Sequence, residues 1–190
     1  LHVRSRRQRQ MCIRDRFETV EALAVIDILR RANIGVDTVS ITGNKSVKSA
    51  QNIIVEADKL IEDINCNDED VCFLPGGPGH KTYYDCDKLI DMLKAHNEAG
   101  GRIAAICAAP SVLGKLGFLK GKRATAFPGF EDMLEGAEVA SKTERVVTDG
   151  NITTSRGMGT SVDLGLELVT LIRGKELADE LAVSTQYIND

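Results

Sequence analysis

Apolar positions recur along this chain in two alternating rhythms. In "FETVEALAVIDILRRA", residues 17–32, Val20, Leu23, Ala24 and Ile28 fall at helical spacing, and the following "GVDTVSITG" alternates β-branched and polar positions as a strand does. A second short strand, "NIIVEAD" at 52–58, leads through a polar segment ending at Asp70 to the unbroken apolar run from Val71 to Leu74. That run stops at the glycine-rich turn "PGGPGH". The spacing next predicts a helix over 85–98, with Leu89, Met92, Leu93 and His96 on one face, and a strand at "RIAAI", residues 102–106. A helix is expected over "APSVLGKLGFL", residues 109–119, with Pro110 in its first turn, where a missing N–H costs little. Further on, "KRATAF" (122–127) reads as a strand, "ERVVTDGNITTS" (144–155) as a hairpin turning at Asp149 and Gly150, and residues 160–172 as a long amphipathic helix before a short terminal one.

Alternating helices and mostly continuous apolar strands imply an α/β fold whose parallel sheet is covered on both faces. Sites in open sheets of this kind lie at the carboxyl ends of strands. Two corners rich in small residues fall at such ends: Gly76 with Gly77, and Cys107 with Ala108 and Ala109. With 190 residues, 43% of them apolar, and no repeat or low-complexity linker, one domain with a sizeable core is expected.

Charge changes the picture at one end only. Residues 1–16, "LHVRSRRQRQMCIRDR", hold six arginines and one aspartate, a balance of +5 against −9 for the remainder. Such a run ordinarily reads as a basic arm for nucleic acid or an acidic membrane. Here it lacks lysine, aromatic residues and a helical period, and "MCIRDR" resembles one translated frame of a common transposon-adapter oligonucleotide. We therefore expect residues 1–16 to be non-native and outside the domain, with residues 17–190 forming a domain that lacks its natural first strand and no nucleic acid bound through 1–16. Met11, Cys12 and Ile13 offer three apolar residues amid arginines, whose burial is costly, so the chain is expected to fold less well than a natural parent. No run of 18 apolar residues and no signal-type apolar stretch occurs, so a cytoplasmic protein without a membrane span is expected. The five cysteines, Cys12, Cys66, Cys72, Cys86 and Cys107, show no zinc-type spacing, and reduced thiols are expected.

The corner at Cys107 carries the candidate chemistry. A sharp strand-to-helix turn that displays a nucleophile needs small neighbours, which Ala105, Ala108 and Ala109 supply. The N-terminus of the following helix would then favour thiolate and lower the thiol pKa. A free cysteine is equally at home as a small core hydrophobe. That reading is preferred for Cys66, Cys72 and Cys86, with plain surface exposure as the alternative for Cys66.

"FETVEALAVIDILRRANI", "LPGGPG", "AAICAAPSVLG" and "ITTSRGMGTS", in this order over 17–171, resemble the ThiJ/PfpI family, in its DJ-one-like branch. The resemblance implies a flavodoxin-like three-layer sandwich with a nucleophile elbow, usually a homodimer, with Cys107 as nucleophile. It implies that Glu21 contacts the sulfur and that Gly76, Gly77 and the N–H of Ala108 face a developing oxyanion. Apart from the family, Glu21 has an ordinary reading as a solvated charge in a first helical turn; beside a thiolate in a closed site it would instead be protonated near neutral pH and shuttle a proton. The pattern departs from the family where some members carry histidine and this chain has Phe127, and where peptidase-like relatives have histidine and this chain has Ala108. His80, beside the glycine turn, is expected to be a surface turn residue, with a chemical role as the lesser alternative; His96 is expected to pack or cap.

The resemblance implies an enzyme that needs no cofactor and no metal, acting on small reactive carbonyls. Two forms are expected: glyoxalase III-like conversion of a 2-oxoaldehyde such as methylglyoxal to lactate, or removal of early glycation adducts from protein or nucleotides. The alternative is a non-enzymatic oxidative-stress sensor or chaperone-like protein using the same cysteine. A glutaminase-like role lacks its late His-x-Glu partner.

Overall fold

The computed structural model describes residues 9–65 and 70–188. In chain order the strands are β1 (Arg9–Ile13), β2 (Val36–Ser40), β3 (Ser46–Lys48), β4 (Ile54–Glu56), β5 (Lys59–Leu60), β6 (Val71–Leu74), β7 (Arg102–Ile106), β8 (Arg123–Ala124), β9 (Glu138–Val139), β10 (Val146–Asp149) and β11 (Ile152–Ser155). The helices are α1 (Thr19–Arg31), α2 (Asp87–Glu98), α3 (Pro110–Lys115), α4 (Ser161–Arg173) and α5 (Lys175–Ser184).

Seven strands form one sheet in the order β10-β11-β7-β6-β1-β2-β5. All neighbours pair in parallel except β10 with β11, the hairpin read at Asp149 and Gly150. Strands β6 and β7 are buried on both faces, which is why they read as unbroken apolar runs rather than alternating ones. One face packs on α1, α4 and α5 through Ala22, Val25, Leu29, Leu164, Leu168 and Leu181. The other packs on α2 and α3 through Leu89, Leu93, Val112 and Leu113. The result is the flavodoxin-like three-layer sandwich, and it brings the ends of β6 and β7 side by side.

Four expectations are corrected. Arg9–Ile13, expected to lie outside the domain, forms β1 and pairs on both sides, with β2 and with β6. Its side chains are buried throughout, so the apolar Met11, Cys12 and Ile13 suffice for a central strand even with arginines at its ends. The helix expected over 109–119 closes after six residues, because Gly117 (φ +78°) takes the left-handed turn and lets Phe118 N–H return to the Leu113 carbonyl at 3.0 Å. Of 52–58, only β4 is extended, and it pairs antiparallel with β3 outside the main sheet. Of 122–127, only β8 is, paired with β9.

Cys12 and Cys72 are buried and Cys86 is half-buried; Cys66 lies outside the described residues. Among the described residues no helix is long and apolar enough to cross a membrane.

Candidate active site

Cys107 follows β7 directly and adopts φ +65°, a left-handed conformation that costs a non-glycine residue about 1–2 kcal/mol. Its backbone is fixed from both sides: its N–H donates to the Ser155 carbonyl at 3.0 Å, and its carbonyl accepts from Phe127 N–H at 2.9 Å. Ala105, Ala108 and Ala109 are buried around it, small enough to admit the turn. The sulfur is left half-buried, and the backbone N–H groups of Ala108 and Gly77 donate toward it.

Glu21 enters from the first turn of α1. Glu18, the residue that caps this helix, accepts the Glu21 N–H at 2.7 Å and so sets the start of the helix beneath the sheet's carboxyl end. The Glu21 side chain is 0% exposed, which excludes the solvated-charge reading. Its Oε2 accepts from Gly76 N–H at 2.9 Å, while Oε1 accepts no hydrogen bond. Glycine at 76 is a spatial necessity, since a Cβ there would lie 2.5 Å from Glu21 Oε2 and 2.6 Å from Cys107 Cβ. The acid and the nucleophile thus meet across the bare α-carbon of Gly76. Of the three residues expected to face an oxyanion, Gly77 and Ala108 aim their N–H groups at the sulfur, whereas the Gly76 N–H is committed to orienting the acid.

The electrostatics reverse one expectation. Burial, followed by the nearby Glu21 charge and its hydrogen bond, pushes the Cys107 thiol up to about 12, against the opposing pull of the Ala108 and Gly77 N–H groups. Desolvation outweighs the donors at the turn into the six-residue α3. Burial likewise raises the Glu21 carboxyl to about 7; the hydrogen bond to Cys107, the Gly76 N–H and Arg14 oppose the rise, while Glu18 adds to it. The two groups therefore behave as a pair that gives up its first proton near neutrality and holds its second strongly. A thiolate exists there only when Glu21 keeps the proton, because a neutral carboxyl removes the charge that disfavours it and becomes a donor to sulfur.

Phe127 is 46% exposed beside this corner, with its ring against the α-carbon of Gly157. His80 is buried rather than on the surface: its Nδ1 lies 3.3 Å from the Gly77 carbonyl and its ring meets Phe130 edge-on at 5.2 Å. Burial lowers its pKa, so it braces the glycine turn as a neutral ring. His96 packs over Gly101 and reaches the Arg102 carbonyl at 3.1 Å, away from this corner, as expected of a packing residue.

Sequence reasoning missed two contributors. Arg14, just past β1, is fully buried with its guanidinium 4.1 Å from the Tyr83 ring centroid, and its Nη1 and Nη2 make long contacts to the Gly76 and Gly77 carbonyls at 3.5 and 3.4 Å. Tyr83 in turn reaches the Pro75 carbonyl at 2.9 Å and pins the end of β6. Nothing in an arginine-rich run distinguishes the one that folds inward, so no local signal pointed to Arg14. Among the described residues no cluster of three or more His, Cys, Asp or Glu side chains is arranged to hold a metal.

Comparison with known proteins gives the family of the chain. Protein DJ-1 homolog A of Arabidopsis thaliana is 39% identical over 167 residues, covering 87% of this chain and 43% of the relative. The chain thus spans about two fifths of the length of that protein and of the Arabidopsis homolog B, of which it covers 40%. A Caenorhabditis elegans protein named glutathione-independent glyoxalase DJR-1.2 is 28% identical over 164 residues, covering 86% of this chain and 87% of the relative. The structure of oxidized Toxoplasma gondii DJ-1 superposes with a TM-score of 0.89 at 32% identity, covering 96% of this chain and 99% of that one. The family model described as DJ-1/PfpI matches residues 10–171, a span that contains all of β1 but Arg9 together with Glu21, the glycine turn and Cys107, and the chain belongs to that DJ-1/PfpI family.

Proposed function

We propose that the protein is a cysteine-dependent, cofactor-independent enzyme that converts small 2-oxoaldehydes such as methylglyoxal to 2-hydroxy acids. The observation that carries this reading is the meeting of Cys107 and Glu21 across Gly76, with Gly77 and Ala108 N–H groups facing the sulfur. The glyoxalase name of the Caenorhabditis elegans relative supports it.

The chemistry follows from the shared proton. Glu21 takes the thiol proton and Cys107 Sγ attacks the aldehyde carbon; the S–C bond forms, the carbonyl electrons move to oxygen, and the N–H groups that faced the sulfur are placed to hold that oxyanion. Protonation of the oxygen gives a hemithioacetal. Glu21 then removes the hydrogen on C1 and returns a proton to C2 through an enediol, so that C1 is oxidised as C2 is reduced and no outside electron acceptor is required. Water cleaves the resulting thioester, releasing the hydroxy acid and restoring the thiol. Deglycation of an amine-bound adduct would be the same sequence with an amine leaving. Phe127, which transfers no proton, leaves the acid and base work to Glu21.

Methylglyoxal consumption without added glutathione tests the reading. Turnover is expected in the intact protein and a fall of about a thousandfold or more in Cys107→Ser. Absence of turnover, with Cys107 still selectively oxidised by peroxide, would support the sensor alternative instead.

A further inference from the structure

We infer that Phe127 is a specificity-determining residue that reads the substituent on C2 of the substrate and selects 2-oxoaldehydes carrying a ring-sized apolar group over the methyl compound. This deepens the proposed function and rests on it for the identity of the reacting carbons.

The argument starts from which carboxyl oxygen is available. Glu21 Oε2 is held by Gly76 N–H, which leaves Oε1, buried and without a hydrogen bond of its own, as the oxygen to which a proton from the substrate is assigned. Oε1 lies on the Gly157 side: a Cβ built on Gly157 would sit 3.9 Å from Oε1 and 3.1 Å from Phe127 Cδ2. With C1 bonded to Cys107 and its oxygen on the Gly77 and Ala108 N–H groups, C2 must approach Oε1. Its substituent is then delivered to the Phe127 ring.

That ring is held ready. Phe127 N–H donates to the Cys107 carbonyl at 2.9 Å, and the Phe127 carbonyl accepts Phe130 N–H at 2.9 Å, closing a turn whose far end is braced by the contact of Phe130 with His80. Backbone tied at both ends keeps the side chain beside the Cys107 corner, where one side rests on Gly157 and nearly half its surface stays open. Covering an exposed aromatic face with an apolar group is favourable by area and, for ring against ring, by geometry as well. A methyl group covers little of it, and a polyhydroxylated chain would lose hydration there without a polar partner in return.

The experiment has two arms. In the first, kcat/KM is measured for phenylglyoxal and methylglyoxal with the parent, Phe127→Leu and Phe127→Ala. The parent is expected to favour phenylglyoxal, and the ratio to fall about tenfold in Phe127→Ala, with Phe127→Leu between. A ratio unchanged within twofold, or one that rises because removal of the ring admits the larger aldehyde, overturns the inference. The second arm needs no turnover: alkylation of Cys107 by phenacyl bromide is compared with bromoacetone, each normalised to a free thiol. The same tenfold loss of preference in Phe127→Ala supports Phe127 as the selector even if neither aldehyde is turned over, in which case the proposed reaction alone fails. An unchanged alkylation ratio counts against Phe127 whether or not turnover is seen.

Discussion

Glu21 is held where ionisation is costly, and the cost has a pH signature. Its folded value of about 7 stands above the ordinary 4.5, so between these the folded protein binds more protons than the unfolded chain. The associated stability is fully present below about pH 4.5 and is lost as pH rises through 7. Glu21→Gln abolishes this titration and retains an oxygen to accept the Gly76 N–H. The variant is expected to match the parent near pH 4.5 and to exceed it by about 3 kcal/mol above pH 8, as read from denaturant unfolding at the two extremes. Parallel stability curves would mean that another group titrates. Turnover should fall in the same variant by about 10²–10⁴-fold, since an amide carries no proton between carbons. Cys107 was legible from its corner of small residues, whereas Glu21 was reached only through the family resemblance, since by residue type alone it reads as a solvated charge in a first helical turn. The division of labour between Gly76 and Gly77 was not, because two adjacent glycines look alike until the chain shows which N–H faces the acid and which the sulfur.

Packing of whole elements sets the position of that acid. Helix α1, which carries Glu21, lies against α4, and the approach is close because α4 has glycine at 165: a Cβ there would sit 2.9 Å from Ile28 Cβ and 3.0 Å from its Cγ2. Ile28 is branched at the atom in contact and cannot swing away. Gly165→Ala is therefore expected to destabilise the fold by about 1–2 kcal/mol, the overpacking cost outweighing alanine's better helix propensity. Thermal unfolding would show this, with the Cys107 alkylation rate of the folded protein unchanged; a more stable variant would mean that the helices part without cost. At this scale the sequence was legible where periodicity is long. α1, α2 and α4 announce themselves through apolar faces on helices of twelve or thirteen residues, and β6 and β7 through unbroken apolar runs. Short elements were read less well, because their ends depend on contacts: α3 stops where Gly117 turns, and β4 joins a side hairpin through pairing with β3 that no local pattern encodes.

For the molecule as a whole, the arginine-rich start is where local sequence and global fold conflict. β1 sits third from one edge of a seven-stranded sheet, and the chain leaving it carries Arg14 fully buried beneath the glycine turn, with Nε lacking a hydrogen-bond partner. Desolvation lowers the Arg14 pKa, and Tyr83, Glu21 and Cys107 oppose the fall electrostatically. Replacing a buried, incompletely paired charge by an apolar side chain is often stabilising by about 1–4 kcal/mol. Arg14→Leu is accordingly expected to raise stability by about 1–3 kcal/mol in urea unfolding. The gain should depend on pH in a definite direction. Below the Glu21 value of about 7 the acid–thiol pair is neutral and Arg14 has no anion to face; above it the pair carries one negative charge that the arginine partly repays. The gain is therefore larger at pH 5 than at pH 8. In the same variant, the pH midpoint for Cys107 alkylation should move upward, because the anion loses the cation that favours it. A variant less stable than its parent at both pH values would mean that the cation–π contact and the glycine carbonyls compensate the buried guanidinium fully, and that this start of the chain is compatible with the fold it enters.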